Sequence, residues 1–317
     1  MAGELTAAYA TESSYLGGVG GTPTYRLPGS DIRFEDTTLQ NFLASVRNPD
    51  AIFPTRQVRQ QVEGVLGVSF TLTDATWFGD LVANATDGSG NDVLEAGHVP
   101  SAEWYLGLEY PDSTSSTATV ERQIQGWTPV DVTVAYNTTE LVRVTLTGPY
   151  GDEQSNTSVT PGTISGGGDE VDFHGTSFTF AGGTPYSASL NSLELSLSNL
   201  ARLSRGTDKE PSDAWRAAPE GQLTLDADIR TADTLAQAYG GTTSDTSPQD
   251  LIDGISASLA FDTGGSTVFS VDLEELKADE YAWESLMGQD ANPSESATLQ
   301  LGGDDPDGDT YAIAQTA

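Results

Sequence analysis

Two stretches of the chain alternate between apolar and polar residues, which is the pattern of a β-strand with one buried face. In residues 66–72, large apolar side chains alternate with glycine, serine and threonine. In residues 223–229, apolar side chains alternate with threonine and aspartate. A glycine, Gly64 or Gly221, stands near the start of each run. The pattern predicts two long strands that each turn one apolar face towards a core.

A short helix is predicted directly after each strand. Apolar residues recur at helical spacing in residues 77–82 and again in 232–239, and Asp74 and Thr231 stand where an N-cap is expected. The second helix should end at Gly240-Gly241, because glycine readily adopts the left-handed cap conformation. The two glycines before the strands and the two cap residues are each 157 residues apart, so both halves follow the same order of elements.

An additional strand is expected before each of these strands, at residues 31–35 and 190–200. Long loops are expected to join the strands of each pair, at residues 37–62 and 201–220. Further strands are predicted at residues 104–110, 118–124, 130–136, 141–147, 255–261 and 268–273, and another helix at residues 273–287.

Residues 148–170 are rich in glycine, serine, threonine and proline, which is typical of a linker or a long surface loop. The segment divides the chain into residues 1–147 and 171–317, which we predict to be two similar β domains. The expected fold class is mainly β, a β-sandwich or β-barrel with short helices in an α+β arrangement.

The chain is strongly acidic, with 47 acidic and 13 basic residues and a net charge of −34. Such a surface disfavours nonspecific binding to nucleic-acid phosphates and to anionic membranes. The only lysines are Lys209 and Lys277, and this composition resembles that of proteins from extreme halophiles. In molar salt the Debye length is about 3 Å, so the self-repulsion is tolerable there but destabilising in dilute buffer.

Motifs that carry chemistry are scarce. The chain has no cysteine and two histidines, His98 and His174, so disulfides, thiolate nucleophiles and cysteine-ligated zinc are excluded. No P-loop, GxSxG or HExxH motif occurs. Carboxylates are so abundant that their spacing carries no information about glycosidase-type chemistry. We therefore expect a protein that is not an enzyme and that needs no cofactor.

Asp305, Asp307 and Asp309 resemble the start of a calcium-binding loop, but the bidentate glutamate that should follow is absent. A solvated acidic turn is the favoured interpretation, with calcium as the weaker alternative. The N-terminus has no signal-peptide pattern, and no run approaches about 18 apolar residues. We expect a chain without a signal peptide or a membrane association.

Basic residues are concentrated in two windows, 26–59 and 202–230, which hold 10 of the 13 basic residues and are each nearly neutral. A surface that meets another protein cannot be uniformly acidic, because like charges repel at a desolvated contact. The two predicted loops are therefore candidates for contacts between subunits or between rings of subunits. The candidate contact residues are Arg47, Arg56, Arg59, Arg202, Arg205, Lys209 and Arg216.

Several segments together resemble one protein family. Residues 9–17 (YATESSYLG), followed by Thr22-Pro23, are similar to an opening E-S-T-Y-G-T-x-P motif. Residues 125–134 and 141–148 resemble a mid-chain strand pair that ends in glycine, and residues 186–200 with 221–227 resemble a later strand, loop and strand. On these motifs the chain resembles the major tail tube proteins of tailed phages and siphovirus-like haloarchaeal viruses.

The resemblance implies a structural virion protein whose rings stack into a tail tube for the delivery of viral DNA. Each tube domain would contribute two long strands to a barrel shared by neighbouring subunits, and long loops would bridge adjacent rings. Two tube domains per chain favour rings of three chains, although six remain possible. Implied partners are further copies of the chain and the tape-measure, tail-terminator and tail-tip or baseplate proteins. The protein would be assembled in the host cytoplasm and located in the virion tail.

The polar strand faces would then line the lumen, where acidic and hydroxyl side chains let DNA slide. The predicted lumen-facing residues are Arg33, Glu35, Ser69, Thr71, Thr73, Glu194, Ser196, Ser198, Thr224, Asp226 and Asp228. The apolar faces should pack under the two short helices. The alternative functions are a capsid decoration protein or an S-layer-associated cell-surface module of a halophile, and, less favoured, a hydrolase that uses carboxylates.

Overall fold

The computed structural model describes residues 5–19, 23–49, 52–111, 117–155, 161, 164–171, 173–183, 185–186, 189–242, 244–284, 292–303 and 311–316. Within these residues the fold is mainly β, with large antiparallel sheets and two short α-helices. This confirms the predicted β-rich α+β class.

The strands before residue 160 are β1 (Leu5–Thr11), β2 (Tyr25–Arg26), β3 (Ser30–Val46), β4 (Arg56–Thr71), β5 (Ala85–Thr86), β6 (Asp92–Val93), β7 (Ala102–Pro111), β8 (Thr117–Trp127), β9 (Asp131–Asn137), β10 (Arg143–Tyr150) and β11 (Asp152–Ser155). Those after it are β12 (Ile164–Ser165), β13 (Thr176–Phe180), β14 (Leu190–Ser198), β15 (Ala201–Ser204), β16 (Asp213–Arg216), β17 (Glu220–Asp228), β18 (Ile255–Thr263), β19 (Ser266–Glu284), β20 (Ser294–Gly302) and β21 (Ile313–Thr316). The helices are α1 (Thr76–Leu81) and α2 (Asp233–Gly240), and a 3-10 turn covers Phe173–Gly175.

Both predicted short helices are present, directly after β4 and β17. The Asp74 carboxylate accepts a hydrogen bond from the Thr76 N–H at 2.9 Å, which satisfies a free donor at the start of α1. Gly241 ends α2 in the left-handed conformation, with a φ of 91°, and its N–H bonds the Gln237 carbonyl. The glycine cap expected from the sequence is therefore confirmed.

Eight neighbouring antiparallel strands form what we call the main sheet, in the order β3-β4-β10-β9-β14-β17-β20-β19. The first four strands come from the first half of the chain and the last four from the second half. In each half, the strands lie in the spatial order first, second, fourth and third along the chain. The same four-strand topology therefore occurs twice, which supports the internal repeat indicated by the sequence.

The two repeats are joined edge to edge. Strand β9 of the first half pairs with β14 of the second, with Val134 opposite Leu195 and Val132 opposite Leu197. One hydrophobic cluster draws buried residues from both halves. The division into domains at residues 147 and 171 stays a prediction, but the two halves share one sheet and one core.

A second sheet covers the apolar side of the first repeat. Its strand order is β11-β8-β7-β1-β2-β12. Trp104 and Trp127 of this sheet are fully buried, and the Trp127 indole N–H donates to the Leu66 carbonyl of β4 at 3.0 Å. The first repeat is therefore a sandwich of two sheets around an aromatic-rich core.

Helix α1 links the two repeats through aromatic contacts. The ring centroids of Trp77 and Phe269 lie 5.4 Å apart, and Trp77 also contacts Phe70 of β4 edge to face. The predicted apolar strand residues lie in this core or pack against it: Ile32, Phe34, Val68, Phe70, Leu193, Leu195, Leu223 and Leu225.

The helix predicted at residues 273–287 is wrong in the part that the structure describes, because β19 continues to Glu284. Leu273 pairs with Ala257 and Leu276 with Ile255, so β19 has one more residue than β18 over this interval. This β-bulge turns Leu273 and Leu276 to the same side. A spacing of three residues is also typical of one face of a helix, so the sequence pattern predicted a helix here.

The two predicted loops also contain strands. Strands β3 and β4 pair as far as Val46 and Arg56, so residues 37–62 are mostly a long hairpin, and residues 201–220 contain the small β15–β16 hairpin. Both faces of the long hairpin are exposed, so no apolar alternation marked it as a strand. The predicted linker is partly strand as well, since β10 reaches Tyr150 and β11 follows.

A hydrogen-bonded cluster attaches the second sheet to the base of the long hairpin. The Arg122 guanidinium of β8 donates to both Glu153 carboxylate oxygens, at 2.6 and 2.9 Å, and Tyr150 donates to the same carboxylate at 2.7 Å. The Tyr150 ring covers Gly64, where a Cβ would come within 1.8 Å of it. Burial raises the pKa of Glu153, but the bonds from Arg122 and Tyr150 outweigh it and lower the pKa overall.

We predict that Glu153→Gln destabilises the fold at pH 7 by about 1–3 kcal/mol, because it removes a charge-assisted pair. A carboxylate whose pKa is lowered by folding stabilises the protein above its unfolded pKa of about 4.3, and this stabilisation is lost as the pH falls. Chemical unfolding in molar KCl at pH 7 and below pH 4 should show the difference between variant and parent shrinking. Glu109→Gln, at an exposed site on the same sheet, is the control and should change little at either pH. An undiminished difference at low pH would contradict this role.

Candidate functional site

The main sheet has one side of polar residues that runs without interruption across all eight strands. In antiparallel sheets, residues directly opposite each other point to the same side. Following these pairs from β3 to β19 gives a row made only of polar residues: Arg33, Ser69, Thr145, Thr133, Ser196, Gln222, Gln300 and Lys277. We call this side of the main sheet the polar face.

The next row points to the core and is made only of apolar residues and glycine. Its members are Phe34, Val68, Leu146, Val132, Leu197, Gly221, Leu301 and Leu276. Because each strand contributes one residue to each row, all eight strands are in a common register. The separation into a polar side and an apolar side therefore continues across the boundary between the two repeats.

Most of the predicted lumen-facing residues lie on the polar face. Glu194 and Thr224 are opposite each other and exposed, and Asp226 is opposite Ser296 in an adjacent row. Ser198 and Asp228 lie on the same side at the ends of their strands. The structure thus brings together residues that are up to 195 positions apart in the sequence, Arg33 and Asp228 among them.

Three predicted residues do not reach solvent from this face within the single chain. Ser69, Thr71 and Thr73 are buried, and Thr73 lies beyond the end of β4. The Ser69 hydroxyl donates to Glu35 at 2.7 Å and accepts from Arg143 at 3.4 Å. The long side chains on β3 and β10 therefore cover this part of the face, which the alternation pattern alone did not indicate.

The sequence interpretation missed the polar residues of four strands. Thr133 and Thr145 belong to strands that were predicted but not assigned to the face. Lys277 and Glu280 of β19 fell in the predicted helix, and Ser296, Thr298 and Gln300 belong to β20, which was not predicted. Residues 296–301 alternate polar and apolar side chains, so the same two-residue period contained the signal.

The charges on the polar face are unevenly distributed. Asp31 holds the Arg33 guanidinium at 2.6 Å and also pairs with Arg143. Hydrogen bonding from Arg143, together with Arg33, lowers the pKa of Asp31, so this aspartate stays ionised. Both arginines of the face therefore share one carboxylate partner, Asp31. In the second repeat, Glu194 lies between Thr224 and Ala135, and Glu280 is opposite Thr298, so neither carboxylate is directly opposite a basic residue.

The hairpin of β3 and β4 extends past the rest of the main sheet, and we call its outer part, residues 41–49 and 52–62, the arm. Several of its apolar residues are exposed, with Ile52 at 85% and Phe53 at 80% of their full accessibility. The predicted contact residues Arg47, Arg56 and Arg59 lie on it. Among the described residues, no carboxylate lies within ion-pair distance of any of the three. The arm is thus an apolar and basic projection from an acidic protein.

The other predicted contact residues behave differently. Arg216 is mostly buried and donates to the carbonyls of Leu200 and Val82 and to the Asn84 side chain, at 3.2, 2.8 and 2.8 Å. Burial lowers its pKa to about 10. Arg205 pairs with Glu63 at 3.2 Å. These two arginines bind the first half of their own chain, and their contact with another subunit stays a prediction.

The remaining two residues of that set, Arg202 and Lys209, are exposed on the loop that contains β15 and β16. The loop itself lies against the first repeat. His98 stacks on Trp215 with ring centroids 4.0 Å apart, and its Nδ1 is 3.0 Å from the Asp213 carboxylate. His98 is therefore part of a contact between the halves.

The part of the chain that the structure describes contains no cluster of three or more potential metal-ligating side chains. The possible calcium residues Asp305, Asp307 and Asp309 lie outside the described residues. In the same described part, neither helix has the length and apolar character needed to cross a bilayer.

Searches for similar proteins return no matching family model and no matching curated protein.

We predict that replacing both apolar residues at the arm tip, Ile52→Ser with Phe53→Ser, leaves the stability within about 0.5 kcal/mol of the parent, because neither side chain is buried in the chain. Self-association in molar KCl should decrease, since exposed apolar groups drive association. Thermal unfolding and light scattering measure the two effects. Leu251→Ser removes an equally exposed apolar residue away from the arm and is the matched control. Equal loss of association in both variants would show that the arm has no special role.

Proposed function

We propose that this chain is a structural virion protein that polymerises as stacked rings into a viral tail tube, with the polar face lining a channel for genome DNA. The polar row across eight strands is the observation that carries the proposal. A sheet of this width with a buried side and an open polar side is suited to form the wall of a water-filled channel.

The size of the sheet supports a ring of three chains. Each chain contributes eight strands in a common register. Barrels of about 16–18 strands already enclose an aqueous channel, and the diameter grows roughly linearly with strand number. Three chains with eight strands each exceed that number. The repeated four-strand topology would give such a ring an approximate sixfold arrangement of similar units.

The chemistry of the polar face suits the passage of DNA. The face consists mainly of hydroxyl, amide and carboxylate groups, and two of its arginines are already paired with Asp31. Basic side chains on a channel wall would bind phosphates and slow a moving strand, whereas acidic and neutral polar groups do not. The proposed channel therefore contacts DNA without holding it.

The arm is the proposed contact between rings. It carries three arginines without ion-pair partners among the described residues, on a chain whose net charge is −34. An acidic surface of another copy is therefore an electrostatically complementary partner. The apolar tip adds area that would be buried by such a contact. The arms of one ring would in this way hold the next ring of a filament, which is a contact that repeats without closing. Tape-measure, terminator and tail-tip proteins remain proposed partners.

Electron microscopy of the purified protein in molar KCl tests the proposal directly. We expect rings or hollow tubes with threefold averages, and their loss on dilution into low salt as the acidic chains repel each other. Sixfold averages that contain six chains would contradict the ring of three. A monodisperse monomer at high concentration and high salt would contradict tube formation and favour a decoration or cell-surface role.

A second prediction concerns the channel wall. Glu194 and Thr224 are opposite each other on the polar face, and Glu109 and Thr119 form an equivalent exposed pair on the second sheet. Tubes with Glu194→Lys and Thr224→Lys should retain a fluorescent DNA duplex in a nuclease-protected form, at the lowest KCl concentration at which tubes persist. The matched variant with Glu109→Lys and Thr119→Lys has the same change of charge, so its bound duplex should remain open to nuclease. If the duplex is protected from nuclease in the Glu109 and Thr119 variant, or is not protected in the Glu194 and Thr224 variant, the polar face does not line the channel.

A further inference from the structure

The two ends of the main sheet are open edges. Strand β3 pairs only with β4, and residues 277–284 of β19 pair only with β20, among the residues that the structure describes. An unpaired edge presents free backbone donors and acceptors and is a template for another strand. The open edges lie at opposite ends of the eight strands, so one copy of the chain can supply β3 and another β19.

The junction inside the chain shows how two repeats join. There β9 of the first repeat pairs with β14 of the second, and the facing residues Val132, Val134, Leu195 and Leu197 are all buried. In the repeated topology, β19 occupies the position of β9, and β3 occupies the position of β14. An edge of β19 that receives the β3 edge of another copy would therefore reproduce a junction that the chain already contains.

The pairing registers convert this correspondence into residue numbers on β19. Val134 is opposite Val144 of β10 in the first repeat, and Trp283 is opposite Glu295 of β20 at the same position of the second repeat. Trp283 therefore corresponds to Val134. Tyr281 corresponds to Val132 in the same way, since it lies two residues before Trp283 and is paired with β20. These two aromatic residues therefore stand where the first repeat has buried valines.

The same procedure assigns positions on β3. Leu195 is opposite Leu223 and Thr37 is opposite Leu66, and Leu66 and Leu223 are equivalent in the 157-residue repeat. Leu39, opposite Gly64, corresponds to Leu197, opposite Gly221. A junction built like the internal one would place Trp283 opposite Thr37 and Tyr281 opposite Leu39, with Ala282 opposite Thr38 between them.

The exposure of these residues fits a surface that another copy covers. Trp283 is 55% exposed and Leu39 is 43% exposed, whereas Val134 and Leu197 at the corresponding positions are buried. The Trp283 indole N–H donates to the Tyr281 hydroxyl at 2.6 Å, and that hydroxyl donates to the buried Glu295 carboxylate at 2.8 Å. These bonds hold the tryptophan in place at the edge, on the apolar side of the sheet.

We propose that a second copy of this chain pairs its β3 with the β19 edge in this register, and that Tyr281, Trp283 and Glu295 distinguish this junction from the all-aliphatic one inside the chain. The inference rests on the proposed tube function, and it names the surface and the partner that close the ring. The contact is head to tail, so three copies close a ring when each adds one third of a turn.

The chain contains no cysteine, so a disulfide trap can test the register. Thr38→Cys with Ala282→Cys places one thiol at each open edge. Within one chain, seven strand spacings of about 4.8 Å separate these edges along the sheet, whereas a disulfide requires Cα atoms within about 7 Å. Oxidation in molar KCl should therefore give covalent rings of three chains on a non-reducing gel, and reductant should return them to single chains.

Gln40→Cys with Ala282→Cys is the matched control, because it shifts one thiol by two residues on the same side of β3. The shifted pair would be diagonal, at about 7–8 Å, which is too far for a disulfide. Rings under the microscope without a Thr38–Ala282 cross-link, or with equal cross-linking of the shifted pair, would overturn this junction and leave the tube function standing. Absence of rings in the unsubstituted protein would instead count against the tube function itself. Covalent products that extend as a ladder beyond three chains would overturn closure at three.

A second variant keeps the proposal testable if the cysteine pair does not fold. Trp283→Lys places a charge on an edge position that is exposed in the single chain, so the fold should survive and ring formation should be lost. Trp283→Phe keeps an aromatic side chain and should still form rings. Circular dichroism checks the fold of both variants, and electron microscopy scores the rings. Rings that persist in Trp283→Lys would overturn the assigned contact.

Discussion

The structure depends on a common register of polar and apolar rows across the eight strands of the main sheet. A slip of one residue on any strand would exchange its two faces and place hydroxyl or carboxylate groups in the core. The row from Arg33 to Lys277 and the row from Phe34 to Leu276 show that no strand slips, including at the junction of the repeats. The aromatic core under the sheet and the open polar face above it both follow from this register.

The two repeats share their topology and differ in the hairpin between their first two strands and in their edge strand. In the first repeat, the hairpin between the first two strands stays paired as far as Val46 and Arg56 and becomes the arm. In the second repeat, the segment between the first two strands docks on residues 97–99. The edge strand carries valines at the internal junction and Tyr281 and Trp283 at the open one. The repeated strand topology accounts for the shared core, and the departures from it mark the surfaces that we propose to contact other copies.

The few basic residues of this acidic chain fall into groups with different surroundings. Arg33 and Arg143 are held by Asp31 on the polar face, and Arg205 and Arg216 bind the first half of the chain. Arg122 pairs with Glu153 of the neighbouring strand within the second sheet. Only the arm concentrates arginines without such partners among the described residues. Because a charge of −34 opposes any contact between copies, a basic and apolar projection is the part of the surface best suited to overcome that repulsion.

The amino-acid sequence by itself determined the fold class, the long strands around residues 66–72 and 223–229, the two short helices and the 157-residue repeat, because a two-residue period and helix caps are local signals. Only the tertiary structure decided that residues 37–62 form a hairpin, because a strand that is exposed on both faces need not alternate polar and apolar residues. Only the tertiary structure also decided that β19 continues where the sequence predicts a helix, because a β-bulge interrupts the two-residue alternation there. The tertiary structure also showed that Arg216 forms hydrogen bonds within its own chain and that eight strands share one polar row. Strand order and register are relations between distant segments, and no local pattern contains them.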